Sequence, residues 1–169
     1  MDRAAILRGF ELCIFDADDT LRRTTVPGRP CPRAPGEWQL LPGVRETLQA
    51  IAWNRPGQPR LGVASNQDQV GAGLVTAAMA RQLLTTMTQE AAGFTPPPSA
   101  IQFCPHGVEV PCDCRKPRPG MLRRIMAWYG VAPSGTVFIG DSAADRGAAA
   151  AAGVAFLPPA EVFGWDQSA

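Results

Sequence analysis

Two aspartates separated by one residue, Asp16 and Asp18, follow directly on the apolar run Leu12-Cys13-Ile14-Phe15. A turn leaving a buried strand can aim both carboxylates at one ligand. A second acidic pair, Asp141 and Asp145, follows another apolar run, Val137-Phe138-Ile139, and Gly140. Clustered carboxylates repel unless a proton or a cation joins them. Hard oxygen donors of this kind suit Mg²⁺, which keeps water and substrate phosphate in its shell. Taken singly, each pair also reads as turn or cap chemistry, with Asp141 or Ser142 capping a helix and Asp145 in its first turn. Arg115-Lys116 supplies cations that can fix carboxylates and offset phosphate charge, or simply form a solvated basic loop. Ser65-Asn66-Gln67 ends a third apolar run with polar groups.

A separate constellation is Cys104, His106, Cys112 and Cys114: Cys-x-His, five residues, then Cys-x-Cys. Three thiolates and an imidazole suit tetrahedral Zn²⁺, and four protein ligands make a closed, structural site. The spacing does not favour an iron–sulfur cluster. The chain holds five cysteines and one histidine. With His106 engaged by zinc, no histidine remains for general-base work. An odd number of cysteines in a reducing compartment argues against a disulfide framework. Cys13 is expected in the core of its strand, and Cys31 has no assigned role.

The elements that must position these groups can be read from periodicity and breakers. Strands are predicted over 11–15, 60–64, 100–103, 136–139 and 154–156. Helices are predicted over 43–53, 69–92, 119–129 and 143–152. The segments 21–42, 95–99 and 104–118 read as loops. Strands alternating with helices predict an α/β fold with a Rossmann-like parallel sheet and helices on both faces. Open sheets of this kind bind ligands beyond the carboxyl ends of their strands, which gathers Asp16, Ser65 and Asp141 into one crevice. One domain over 1–169 is expected, without an insertion long enough for a cap domain.

The net charge is +1 and 46% of residues are hydrophobic. A near-neutral chain without an aromatic-basic stripe argues against a nucleic-acid partner. No run of eighteen apolar residues marks a membrane span, and the first residues lack a signal-peptide layout. A cytoplasmic location is therefore expected, as a monomer or small homo-oligomer.

In their order, and over nearly the whole chain, these motifs resemble the haloacid dehalogenase superfamily of phosphatases. The matching features are a hydrophobic strand followed by Asp-x-Asp-x-Thr (Asp16 to Thr20), a strand-end Ser65, Lys116, and the acidic pair Asp141 and Asp145. The resemblance implies that Asp16 is a nucleophile forming an aspartyl-phosphate. It implies that Asp18 protonates the leaving oxygen and then activates water. Ser65 and Lys116 would bind the phosphoryl oxygens. Asp16, the Asp18 backbone carbonyl and Asp141 would hold Mg²⁺. Phosphatase members usually carry glycine where this chain has Asp19. Aspartate tolerates unusual backbone angles, so the turn is expected to survive.

Within the superfamily, Cys114 through Met121 and Ser65-Asn66-Gln67 are similar to the group of heptose bisphosphate and histidinol-phosphate phosphatases. The resemblance implies a capless enzyme of carbohydrate or related metabolism, acting on a small phosphorylated metabolite. D-glycero-D-manno-heptose 1,7-bisphosphate and histidinol phosphate are the examples. Asn66 would contact the substrate, and Arg115 would clamp a second phosphate or a carboxylate. Arg22 and Arg23 are weaker candidates for the same clamp and are expected at the solvated surface. Two rival readings stand beside this one. A polynucleotide 3′-phosphatase is opposed by the neutral charge. A non-catalytic, zinc-stabilised binding module is opposed by the joint presence of Asp16, Asp18, Lys116 and Asp141.

Overall fold

The computed structural model describes residues 2–166. Its elements run, in chain order, β1 (Leu12–Phe15), β2 (Arg22–Thr24), β3 (Trp38–Leu40), α1 (Val44–Leu48), β4 (Arg60–Asn66), α2 (Asp68–Gly71), α3 (Ala77–Ala92), β5 (Ile101–Cys104), α4 (Gly120–Tyr129), β6 (Thr136–Ile139), α5 (Ala143–Ala152), β7 (Ala155–Leu157) and α6 (Pro159–Phe163).

Side-chain alternation along β1 sets the layers. Cys13 and Phe15 point to one face of the sheet, where Leu61, Val63, Val137 and Ile139 join them under α1, α3 and α6. Leu12 and Ile14 point to the other face, with Phe138, beneath α4 and α5. Strands buried on both faces read as continuous apolar runs, which is why β1 and β6 show no polar alternation. The sheet order is β5-β4-β1-β6-β7, with every pairing parallel. The expected parallel sheet with helices on both faces is therefore present. The chain builds outward from β1 through β4 and β5, then returns to β6 on the other side. That reversal makes the carboxyl end of β1 the switch point where a ligand crevice opens.

Several predicted boundaries shift. The segment 21–42, read as a loop, contains the antiparallel pair β2–β3, registered Arg22 with Leu40 and Thr24 with Trp38. Three-residue strands around a proline-rich tip are too short to leave a periodic signal. The helix predicted over 43–53 stops at Leu48, where Trp53 Nε1 donates to the Leu48 carbonyl at 2.8 Å. The helix predicted over 69–92 is two helices. Gly73 takes a left-handed φ of +75°, and Thr76 opens α3 by accepting from the Met79 N–H at 3.1 Å. The helix α6 was not predicted. It buries Phe163 against Phe15, ring centroids 6.4 Å apart, and Trp165 then donates to the Pro42 carbonyl at 2.7 Å. The tail thus folds back on the face that carries α1. Among the described residues, no helix is long and apolar enough to cross a membrane.

Candidate active site

The backbone N–H of Asp16 still bonds the Ile139 carbonyl at 2.9 Å, so Asp16 extends β1 by one residue at the carboxyl edge of the sheet. The chain then turns tightly, with the Leu21 and Arg22 N–H groups returning to the Ala17 carbonyl at 2.8 and 3.1 Å. Asp19 takes a φ of +62°, the left-handed conformation that glycine would occupy without strain. Its carboxylate points outward to Arg23 at 3.0 Å. Across the crevice, α5 begins with a capping box. Ser142 Oγ accepts from the Asp145 N–H, and Asp145 Oδ2 accepts from the Ser142 N–H and hydroxyl.

These two turns face each other. Oxygens of Asp16, Asp141 and Asp145 lie within 4.8 Å of one another. Lys116 Nζ lies 2.7 Å from both Asp16 Oδ1 and Asp145 Oδ1, and donates to the Ala64 carbonyl at 2.9 Å. Thr20 Oγ1 sits 3.1 Å from both Asp16 Oδ2 and Asp141 Oδ1. One hydroxyl proton can serve only one of these oxygens, which leaves the other to a proton or a cation. Burial pushes the Asp16 carboxyl up to about 8; Lys116 pulls it down and Asp145 raises it further. Burial opposes the charge on Lys116, but Asp16 and Asp145 outweigh it and hold the ammonium above its ordinary value. Asp16, Asp145 and Lys116 are buried while Asp141 is exposed, so the cluster opens to solvent on the Asp141 side. The oxygen donors and their mutual repulsion fit a divalent cation at Asp16 and Asp141.

Asp18 pairs with a different set of groups. Its Oδ1 accepts from Arg22 Nε at 2.8 Å and its Oδ2 from Gln67 Nε2 at 2.9 Å. Gln67 also donates to Ser65 Oγ at 2.8 Å, which joins the end of β4 to the Asp16 turn. Asn66 spends both ends of its amide on Lys116: Oδ1 accepts from the Lys116 N–H at 3.0 Å, and Nδ2 donates to its carbonyl at 3.2 Å. Arg115 donates to the His106 carbonyl at 3.0 Å and lies 3.8 Å from Asp68.

Just before Lys116, the sulfurs of Cys104, Cys112 and Cys114 and a nitrogen of His106 lie within 4.8 Å of one another. A tetrahedral metal with sulfur bonds of about 2.3 Å has sulfur–sulfur edges of about 3.8 Å. Cys104 and Cys112 are 3.8 Å apart, and His106 Nδ1 is 3.5 and 3.4 Å from Cys104 and Cys114. Cys104 and Cys114 approach to 2.9 Å as free thiols. Burial pushes the Cys104 thiol up to about 12. At Cys112 burial also raises the thiol, but the Arg115 N–H and the neighbouring cysteines outweigh it and bring it down to about 6. The Cys104–Cys114 edge is shorter than the tetrahedral value, while the donor set and the other edges fit a single tetrahedral metal.

A family model described as haloacid dehalogenase-like hydrolase matches residues 28–153. The chain belongs to that family. Among its curated relatives is the D-glycero-beta-D-manno-heptose-1,7-bisphosphate 7-phosphatase of Pseudomonas aeruginosa, 37% identical over 68% of this chain. The match spans only 63% of that relative, under two thirds of its length. The D-glycero-alpha-D-manno-heptose-1,7-bisphosphate 7-phosphatase of Mycobacterium tuberculosis is 32% identical over 86% of this chain and 77% of its own. Among solved structures, the D,D-heptose 1,7-bisphosphate phosphatase of Bordetella bronchiseptica, complexed with magnesium and phosphate, superposes with a TM-score of 0.64. It is 35% identical, over 86% of this chain and 78% of that one.

The family match begins after the Asp16 turn, so Asp16, Asp18 and Thr20 lie outside the matched residues and are placed by geometry alone. The candidate site residues Asp16, Asp18, Ser65, Asn66 and Asp141 lie at the carboxyl edge of the sheet, and Cys104, His106, Cys112, Cys114, Arg115 and Lys116 lie in the cysteine loop. Four contributions escaped the sequence reading. Gln67 lies two residues from Ser65 on extended backbone and so shares its face, a signal that was legible. Thr20 closes the Asp-x-Asp-x-Thr pattern without betraying its bridge between carboxylates. Asp145 does more than cap α5, because its second oxygen pairs with Lys116. Arg22, expected at the solvated surface, is instead buried, with a side chain 1% exposed. Its pairing with Asp18 draws it inward.

Proposed function

We propose that this chain is a Mg²⁺-dependent phosphomonoester hydrolase that works through an aspartyl-phosphate on a small phosphorylated sugar. The observation that carries this reading is the meeting of Asp16, Asp141 and Lys116 at the carboxyl end of β1, with Asp18 held two residues on by Arg22 and Gln67. Asp16 attacks phosphorus as the ester P–O bond breaks, and Asp18 gives its proton to the leaving oxygen. Asp18 then takes a proton from water, whose oxygen attacks phosphorus and frees Asp16. Ser65 and Lys116 hold the phosphoryl oxygens, and Lys116 also restrains Asp16. Asn66 serves the site by fixing the Lys116 backbone, with its substrate contact made from there. Asp16, the Asp18 carbonyl and Asp141 would hold Mg²⁺, which supplies charge neutralisation between nucleophile and phosphate.

The heptose bisphosphate named for the curated relatives is the substrate class this reading favours, with Arg115 as the clamp for the second phosphate. The relatives divide between beta and alpha anomers, so both belong in the test. We further read the fold as one capless domain, with the segments 21–39 and 104–118 shaping specificity. Cys104, His106, Cys112 and Cys114 would bind Zn²⁺ as a structural site that stiffens the loop leading to Lys116.

The test is a phosphate-ester screen of the purified protein with Mg²⁺, including both heptose 1,7-bisphosphate anomers, histidinol phosphate, nucleotides and 3′-phosphorylated DNA. Heptose bisphosphate is expected to give the highest kcat/KM. Absence of turnover across the panel would replace this reading with a non-catalytic binding module. Preference for DNA ends would replace it with a polynucleotide phosphatase.

A further inference from the structure

Arg22 is a full positive charge with a side chain 1% exposed. Its Nε donates to Asp18 Oδ1 at 2.8 Å, while its Nη1 is buried with no hydrogen-bond partner among the described residues. Burying a guanidinium with a donor unmet is costly, and an apolar side chain would fill the same space without that cost. What the arginine secures in return is one oxygen of Asp18. The other oxygen is secured by Gln67, which is itself anchored: Gln67 Oε1 accepts from Gln69 Nε2 at 3.0 Å, and Gln69 Nε2 also donates to the Pro32 carbonyl at 3.0 Å. Backbone contacts add to this frame, with the Asp19 N–H bonding the Arg22 carbonyl at 2.7 Å. Asp18 is therefore gripped from two sides, and only the Arg22 grip is charged.

We propose that Arg22 is the positioning residue of Asp18, fixing the rotamer from which that carboxyl serves both half-reactions. This rests on the aspartyl-phosphate reading above. In this role Arg22 touches neither substrate nor metal, and the protons that move are those of Asp18 and water. In the first half-reaction the Asp16–phosphorus bond forms, the ester P–O bond breaks and the Asp18 proton moves to the leaving oxygen. In the second, a water proton moves to Asp18 as the water–phosphorus bond forms and the Asp16–phosphorus bond breaks.

The leaving group separates positioning from general structural damage. An alkyl phosphate needs the Asp18 proton, whereas p-nitrophenolate leaves without it. Wild type, Arg22→Met and Arg22→Gln are compared on p-nitrophenyl phosphate and on the best alkyl phosphate of the wild type. Thermal unfolding of each protein is followed in parallel. In Arg22→Met, kcat on the alkyl ester is expected to fall roughly tenfold to a hundredfold, part of what acid–base catalysis contributes, with KM little changed. On p-nitrophenyl phosphate, rapid mixing is expected to show a burst of one nitrophenolate per active site and then slow turnover, because the water step also needs Asp18. Arg22→Gln, whose amide can still reach Asp18, recovers part of the loss, and it carries the same comparison if Arg22→Met does not fold. Equal losses on both esters without a burst, or wild-type kinetics, would overturn the positioning role. A wild type inactive on both esters would instead overturn the aspartyl-phosphate reading.

Discussion

Asp16 combines deep burial with two carboxylate neighbours and one lysine, so its charge is held in balance by groups from the turn between β6 and α5, the first turn of α5 and the loop before α4. Replacing it with asparagine keeps the shape and removes the oxygen proposed to attack phosphorus. Asp16→Asn is expected to lower turnover at least about a thousandfold, the scale on which losing a covalent nucleophile acts. The metal-free variant should unfold no more easily than the wild type, because burial already disfavours the carboxylate there. Steady-state assays and thermal scans in chelator check both statements. Asp19 poses a backbone question instead. At a φ of +62° a β-branched side chain is strained, so Asp19→Val should cost about 1–2 kcal/mol in denaturant unfolding. Asp19→Gly should be tolerated, because glycine adopts that φ freely.

Between elements, close approach is decisive at the start of α5. A Cβ on Gly140 would lie 2.5 Å from Asp145 Cβ and Cγ. Gly140→Ala must therefore push Asp145 away from Lys116, at an expected cost of about 1–3 kcal/mol and with a matching fall in kcat. Unfolding and turnover measured on the same preparation would show the two losses together. The end of α4 offers a pH test. Tyr129 donates to the Leu61 carbonyl at 2.8 Å and accepts from Asn54 Nδ2 at 3.0 Å, tying the helix to β4. Burial holds its phenol above the ordinary value of 10.0, against the smaller pull of Asn54 and Arg60. A folded pKa raised above the unfolded one gives stability that is complete below pH 10 and lost as pH rises through the folded pKa. The chain has one tyrosine, so phenolate absorbance reports it alone. Its midpoint should lie above that of the urea-unfolded chain; coincident midpoints would refute the burial of the phenol.

Across the whole molecule, the cysteine loop joins the apolar face under α4 to the carboxyl edge of the sheet, since Cys104 is buried in that core and Lys116 follows Cys114 by two residues. About one zinc per chain is therefore expected by metal analysis. Stripping it with a strong chelator and restoring Mg²⁺ should lower both the unfolding temperature and turnover, and Cys112→Ser should do the same. A zinc-free protein with full activity would contradict the structural role. Strand–helix alternation, the bounds of β6 and α5, and the residues gathered at the strand ends were all legible in the sequence, because apolar runs and caps are local signals. The β2–β3 pair, the break between α2 and α3, and the return of α6 onto Phe15 were not, because short strands and terminal packing depend on partners far along the chain.

By itself, the sequence determined which residue types could do chemistry here: Asp16 and Asp18 one residue apart, Asp141 after its strand, Lys116 before a proline, and three cysteines with one histidine. Their chemical identities and local spacings are properties of the chain alone. Tertiary structure decided how their charges are shared. Lys116 is divided between Asp16 and Asp145, Thr20 bridges two carboxylates, and Arg22 leaves the surface to grip Asp18. Each of these depends on distances between segments that only the packed sheet brings together, and electrostatic pairing in a buried site is set by those distances.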